Sequence, residues 1–118
     1  MFPRYEARYT RHFEKCLQKH RDKKKRVKTL VERMLQHPYN QSHLLNKKRG
    51  IDLRGKRSRH LGSGNFCILY MICEECINNG FRDKGYNDCP HCTGQPLKMV
   101  IFLAFDKHDD IYAREWNI

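Results

Sequence analysis

Two apolar runs decide the fold of this chain: residues 66–72 read FCILYMI, and residues 99–105 read MVIFLAF. Neither run alternates apolar and polar residues, which is typical of strands that are buried on both faces. A Cys-x-x-Cys pair follows the first run directly, and a second pair lies a few residues before the second run. The pattern therefore predicts two neighbouring central strands joined by a connection that carries cysteines.

The connection has the cysteine spacing of a metal site. Cys73 and Cys76 form one pair, and Cys89 and Cys92 form the other, twelve residues further on. Two such pairs can present four thiolates in a tetrahedron, which favours zinc, with iron second. Four protein ligands leave no open position, so the sequence predicts a structural Zn²⁺ in a ribbon-like insertion over residues 73–92. Two redox pairs, or thiols without metal, are the alternative.

Composition indicates one folded domain over residues 1–118. Hydrophobic residues make up 39% of the chain, which is normal for a globular protein. No apolar run approaches the roughly 20 residues of a membrane span, and the first residues lack a signal-peptide core. We therefore expect a cytoplasmic protein with no membrane association, in which thiols stay reduced.

Charge divides the chain into two halves. The formal net charge is +11, of which residues 1–60 carry +14 and residues 61–118 carry −3. Such asymmetry is expected when one face of a protein meets a polyanion, so nucleic acid or the ribosome is the expected partner. A solvated surface that only confers solubility is the alternative.

Outside the two runs, periodicity predicts the remaining elements. Residues 4–9 indicate a short strand, and Thr10 is a candidate helix N-cap. Apolar residues recur at helical spacing over residues 11–36. This pattern fits one long helix or a helical hairpin that turns at residues 21–22, and we favour the hairpin. His37-Pro38 ends the second helix. Residues 38–56 show little periodicity, so we expect a loop there. The basic residues at 56–61 indicate an edge strand. The tail from Ile111 onward could be a helical turn or a strand.

Several polar residues could carry out RNA cleavage. This reaction needs a base for the 2′-hydroxyl, an acid for the leaving oxygen and cations for the phosphorane. His108 follows a central strand, and Tyr112 comes four residues later. An exposed histidine beside a helix cap is the alternative for His108. The candidate catalytic residues are His108, Tyr112, His60, Arg59 and Arg57, and the candidate RNA-binding residues are Lys47, Lys48, Arg49, Arg54 and Lys56.

The order of these parts resembles the RelE/ParE toxin superfamily. The matching pieces are residues 9–13 (YTRHF), 53–55 (LRG), 64–70 (GNFCILY) and 107–112 (KHDDIY). The resemblance implies an α+β fold, in which an N-terminal strand and a two-helix hairpin pack on a small, mostly antiparallel sheet, here with the cysteine insertion in its last hairpin. It also implies a toxin that cleaves mRNA at the ribosome without a metal and that an acidic or amphipathic antitoxin silences.

Two features depart from that family pattern. Cys67 stands where the family usually has an arginine, and the cysteine insertion is not a usual part of the family. A non-catalytic RNA- or protein-binding module of the same fold is therefore a second hypothesis, and a ParE-like topoisomerase poison is a third.

Overall fold

The elements follow one another in the order that the resemblance implies, with additional short strands. The computed structural model describes residues 4–45, 47–48, 51–62, 65–86 and 97–111. Its elements are β1 (Glu6–Tyr9), α1 (Arg11–Lys19), α2 (Lys24–Gln36), β2 (His43–Leu44), β3 (Lys47–Lys48), β4 (Ile51–Asp52), β5 (Arg57–His60), β6 (Phe66–Ile72), α3 (Cys73–Asn78), β7 (Met99–Lys107) and α4 (His108–Ile111).

The two helices form the predicted hairpin rather than one long helix. Thr10 caps α1, since its hydroxyl oxygen accepts a hydrogen bond from the Phe13 N–H at 3.2 Å. A single 3-10 turn at Arg21–Lys23 separates α1 from α2. Helix α2 buries five residues at helical spacing, Val27, Leu30, Val31, Met34 and Leu35, and it ends immediately before His37-Pro38, as predicted.

The two apolar runs are the central strands of a five-stranded sheet, as predicted. The strand order is β1-β7-β6-β5-β2. Strand β1 pairs parallel with β7, and the other pairs in this sheet are antiparallel. Except for Phe66 and Lys107, every residue of β6 and β7 is buried, because helices or neighbouring segments cover both sides of these strands.

Two predictions about the region before β6 were wrong. Strand β5 was expected at the edge of the sheet, but β2 pairs with it, with His43 opposite Ser58. Residues 38–56 were expected to form a loop, but they include β2 and a separate two-stranded hairpin of β3 and β4. Each of these strands has only two residues, which is too short for an alternating pattern to appear in the sequence.

Pairing register fixes which residues share a face of the sheet. Arg59 pairs with Ile68, and Ile68 pairs with Phe105, so these three side chains lie on one face. This face is covered by the helical hairpin, because Phe13 of α1 and Phe102 of β7 have ring centroids 5.5 Å apart and the Tyr70 hydroxyl donates to the Pro38 carbonyl just beyond α2 at 2.7 Å.

The opposite face carries a different row of residues. His60 pairs with Cys67, and Cys67 pairs with Asp106, although the Asp106 carboxylate reaches the end of α1 beyond the end of the sheet. Because side chains alternate along a strand, His60 points away from the helical hairpin whereas Arg57 and Arg59 point toward it.

Candidate functional site

The structure brings two histidines of the predicted site together. His60 is the last residue of β5, and His108 is the first residue of α4, directly after β7. Their rings are stacked, with centroids 5.7 Å apart and planes inclined by 17°. His60 is exposed and His108 is 35% exposed. Two imidazoles side by side at an open strand end can serve as a general acid and a general base on one bound substrate.

Backbone and carboxylate contacts fix the position of His108. Its backbone N–H donates to the Asn65 carbonyl, which ties the start of α4 to the turn before β6. Its Nδ1 lies 3.5 Å from Asp109 Oδ1. His108 therefore sits on a strand end that is anchored on both sides, which is the kind of rigid support that acid–base chemistry needs.

Asp106 anchors the same strand end from the other side. Its Oδ1 lies 3.0 Å from His20 Nε2 and accepts the Lys107 N–H at 2.9 Å, and Lys19 Nζ lies 3.5 Å from Oδ2. Burial disfavours the charged carboxylate, but these hydrogen bonds and the two basic groups of α1 prevail, and the pKa of Asp106 is lowered. Sequence reasoning missed this role, although a charged residue at the end of an apolar strand was a usable signal.

Cys67 lies on the same face as the histidine pair but cannot supply a charge. It is fully buried. Burial, with a smaller effect from the Asp106 carboxylate, raises the pKa of its thiol to about 12, so the thiol stays neutral near pH 7. Cys67 therefore contributes no charge to this face of the sheet.

The two predicted arginines do not join the histidine pair. Arg57 forms a bidentate ion pair with Glu75, with Nη2 2.6 Å from Oε2, and its side chain is 15% exposed. Hydrogen bonding to Glu75 raises the pKa of Arg57 against the opposing effect of burial. Arg59 donates to the Gln41 Oε1 at 3.3 Å on the helix side of the sheet. The geometry thus separates these two arginines from the two histidines.

Two of the other basic candidates have structural contacts. Lys56 is buried and donates to the Tyr86 carbonyl at 3.1 Å, so its ammonium group does not face solvent. Arg54 pairs with Asp52 at 2.8 Å and lies over the Tyr86 ring, 4.3 Å from its centroid. The side chains of Lys47 and Lys48, together with Arg49 and Tyr112, lie outside the described residues.

The first cysteine pair lies at the start of α3. Cys73 and Cys76 are both buried, and their i, i+3 spacing puts them on one side of the helix. Cys89 and Cys92 lie outside the described residues. In the ranges that the structure does describe, no three His, Cys, Asp or Glu residues are grouped so that they could hold a metal.

Acidic residues hold α3 against the rest of the protein. The Tyr5 hydroxyl donates to Glu74 Oε1, and the Tyr39 hydroxyl donates to the same oxygen at 2.9 Å. Burial and the bond to Glu74 raise the pKa of Tyr5 to about 12. Together with the Arg57–Glu75 pair, these contacts connect the cysteine-bearing helix to the residue before β1, to β5 and to the segment after α2.

Across the described ranges, no helix has the length and apolar character that crossing a membrane requires.

Comparison with known proteins supports the fold. The sequence matches no family model, and no curated protein matches it either. A search of solved structures finds a chain of the RelBE2 toxin–antitoxin complex from Mycobacterium tuberculosis at 18% sequence identity, with a TM-score of 0.58, covering 91% of this chain and 94% of that one. The α+β architecture with its five-stranded mixed sheet is thus a RelE-like fold, as the sequence predicted.

Proposed function

We propose that this chain is the toxin of a toxin–antitoxin system and that it cleaves ribosome-bound mRNA by metal-independent acid–base chemistry. The observation that carries the proposal is the stacked His60–His108 pair at an open strand end of a RelE-like fold. One imidazole would take the proton of a 2′-hydroxyl, and the other would protonate the leaving 5′-oxygen. The products would be a 2′,3′-cyclic phosphate and a 5′-hydroxyl end.

The phosphorane needs positive charge, and the histidine that acts as acid carries one in its protonated form. Tyr112 keeps the role that the family resemblance implies, as a proton-transfer or positioning partner. Because Cys67 is neutral and buried, and because Arg57 and Arg59 lie toward the other face, we assign the chemistry to the two imidazoles rather than to an arginine clamp.

The experiment is incubation with programmed ribosomes, followed by mapping of transcript ends. We expect cuts with the wild type and a loss of about 10²- to 10⁴-fold in rate for His60→Ala and for His108→Ala. His43→Ala is the matched control, because His43 is exposed on β2 and belongs to no proposed catalytic contact. Intact messages at stoichiometric wild-type protein, or an equally active His108→Ala variant, would reject the mechanism.

One observation favours a second candidate function. A neutral Cys67 at the position where the family usually has a cation suits a non-catalytic RNA- or protein-binding module of the same fold. Such a module would bind ribosomes or a protein partner and leave transcripts intact, so the same assay separates the two functions. A ParE-like topoisomerase poison would instead inhibit DNA supercoiling.

The partner we propose is an antitoxin with an acidic or amphipathic segment. The support is the net charge of +11 and the similar solved structure, which is a toxin–antitoxin complex. Co-expression with the product of a neighbouring small reading frame should suppress toxicity and give a stable complex on gel filtration. A frame that neither binds nor protects would argue against this partner.

The cofactor we propose is a structural zinc ion on Cys73, Cys76, Cys89 and Cys92. The support is the spacing of the two pairs and the burial of Cys73 and Cys76 in the first turn of α3. We expect one zinc per chain by elemental analysis of purified protein, and its loss in Cys73→Ser and in Cys89→Ser. Protein that is folded and metal-free after growth in zinc-supplemented medium would overturn the assignment.

A further inference from the structure

Three depressions that share lining residues follow one another along α2 and past its C-terminus. The first is lined by Lys25, Arg26 and Arg33, and it shares Arg33 with the second, which Arg59 also lines. The second shares residues of the α2 C-terminus, among them His37, with a third that Tyr39 lines. Their volumes are about 380, 260 and 300 Å³. Each is at or near the small end of ligand pockets, so an extended molecule that runs through all three suits them better than a compact ligand in one.

The cations of this surface are concentrated in its first two depressions. Lys25, Arg26 and Arg33 are exposed, and Arg59 reaches the groove from β5. Among the residues that the structure describes, no Asp or Glu side chain lines any of the three depressions. In the portion of the chain that the structure describes, none of these four cations forms an ion pair with a carboxylate. The surface is therefore a row of uncompensated cations along roughly 12 Å of helix.

Two of the cations, Arg33 and Arg59, line the second depression together. Burial, above all, and repulsion by the neighbouring charge of Arg33 lower the pKa of Arg59, against the opposing effect of Tyr70. An anion between the two guanidinium groups would relieve this repulsion and accept hydrogen bonds from both. Guanidinium forks match the oxygens of phosphate and carboxylate groups, so an anionic group suits this depression.

An aromatic ring lies at the far end of the groove. Tyr39 is 42% exposed, and its hydroxyl is held by Glu74 at 2.9 Å. The Arg57 guanidinium carbon lies 5.1 Å from the Tyr39 ring centroid, which adds a cation–π contact to the hydroxyl bond. A ring that is fixed at its hydroxyl and open to solvent is a suitable platform for stacking an unpaired base.

These features favour RNA over an acidic protein helix. An amphipathic helix needs exposed apolar side chains to bind, but the two leucines that line the first depression, Leu30 and Leu61, are buried. A row of cations that ends at an exposed aromatic ring is instead the arrangement that tracks a single-stranded backbone and stacks its bases. We propose that this surface, the α2 groove (Lys25, Arg26, Arg33, Arg59 and Tyr39), binds a single-stranded RNA segment.

The α2 groove and the histidine pair are on different faces of the sheet. Arg59 and His60 are consecutive in β5 and therefore point to opposite sides. An RNA segment in the groove is thus not the phosphodiester that lies at His60 and His108. The groove is a second RNA contact, which would hold another part of the same molecule or of the ribosome.

The test uses a short, fluorescein-labelled 2′-O-methyl oligouridylate. This probe has no 2′-hydroxyl nucleophile, so its binding can be measured by anisotropy whether or not the protein cleaves RNA. We expect Arg33→Gln and Arg59→Gln each to reduce the slope of log K against log salt by about 0.7. Tyr39→Ala should weaken binding by about 5-fold or more without changing that slope, and Tyr39→Phe, which keeps the ring, should bind within about 2-fold of wild type.

Arg11→Gln is the matched control, because Arg11 is an exposed arginine of α1 that lines none of the three depressions. Equal losses for Arg11→Gln and Arg33→Gln would show that only net charge matters and would overturn the groove. Unchanged binding by Tyr39→Ala would overturn the single-stranded assignment. Poly-glutamate is the competitor for an acidic protein site, at concentrations matched in charge to RNA. If it displaces the probe from wild type but not from Arg33→Gln, the site binds acidic protein and RNA is overturned as the occupant.

Discussion

The Arg57–Glu75 ion pair should be among the largest single polar contributions to stability in the described part of the fold. Arg57 Nε lies 3.0 Å from both Glu75 oxygens, and Nη2 lies 2.6 Å from Oε2. The two side chains are only 15% and 8% exposed. Removing one partner of such a pair leaves a buried charge without compensation, which costs about 3–5 kcal/mol when the remaining charge is fully buried.

The cost should be lower when Glu75 is the residue removed. Arg57 keeps a hydrogen bond to Ser42 Oγ at 3.1 Å and its contact with the Tyr39 ring. We therefore expect Glu75→Leu to lower the free energy of unfolding by about 2–3 kcal/mol and Arg57→Met by about 3 kcal/mol. The double variant has no unpaired charge, so it should lose clearly less than the sum, with a coupling of about 2 kcal/mol or more.

Urea unfolding followed by far-UV circular dichroism measures these differences. At a slope of about 1–2 kcal/mol per molar urea, each single variant should move the midpoint by about 1–3 M. The exposed Arg4–Glu32 pair, with side chains 53% and 50% exposed, is the control, and its coupling should not exceed about 1 kcal/mol. If the losses of Arg57→Met and Glu75→Leu add within about 0.5 kcal/mol, the buried pair does not form as described.

Three further predictions concern single residues. Hydrogen bonds lower the pKa of Asp106 in the folded state despite its burial, so the stabilisation that Asp106 contributes is complete above the unfolded pKa of about 4 and is lost as pH falls through the folded pKa. In urea unfolding at a series of pH values, Asp106→Asn should be less stable than wild type at pH 7, and its stability should decline less steeply in acid. Parallel acid declines of the two proteins would contradict this. Cys67 is fully buried with a pKa of about 12, so its alkylation by iodoacetamide, followed by mass spectrometry, should keep pace with global unfolding; labelling of native protein at the rate of an unfolded peptide would contradict this. Thr10→Ala removes both the cap to Phe13 and a 2.9 Å bond to the Leu103 carbonyl, so it should cost about 1–2 kcal/mol in urea unfolding, and Thr10→Ser, which keeps both bonds, should cost clearly less.

The sequence predicted the elements whose periodicity is long enough to read. The five buried residues of α2 repeat at helical spacing over nine positions, and the two apolar runs lack alternation over seven positions each. These patterns reflect burial directly, since the residues that must leave water determine them. Strand β2 has two residues, His43 and Leu44, and both are exposed, so no burial pattern marked it and β5 was misplaced at the edge.

The candidate site was predicted in part for a different reason. That His60 and His108 come close depends on β5 and β7 both running antiparallel to β6, which lies between them, so that the two strands end at the same edge of the sheet. The position of Asp106 depended on contacts with α1 across 86 residues of chain. Such contacts follow from packing between elements rather than from local pattern, so the residues of one element do not reveal them.

The sequence alone could have excluded a site in which Arg59 and His60 share one face of the sheet. Arg57, Arg59 and His60 were grouped as one rim, but residues 59 and 60 of a strand must point to opposite faces. Which face belongs to the hairpin depended on tertiary contacts, above all the Tyr70 hydroxyl at Pro38. Once the face of the hairpin is known, both arginines are seen to lie on the side opposite the histidine pair. Arg57 then neutralises the charge of Glu75, and Arg59 lies beside Arg33 of α2. The same alternation that turns Arg59 away from the two histidines therefore places its positive charge in the α2 groove.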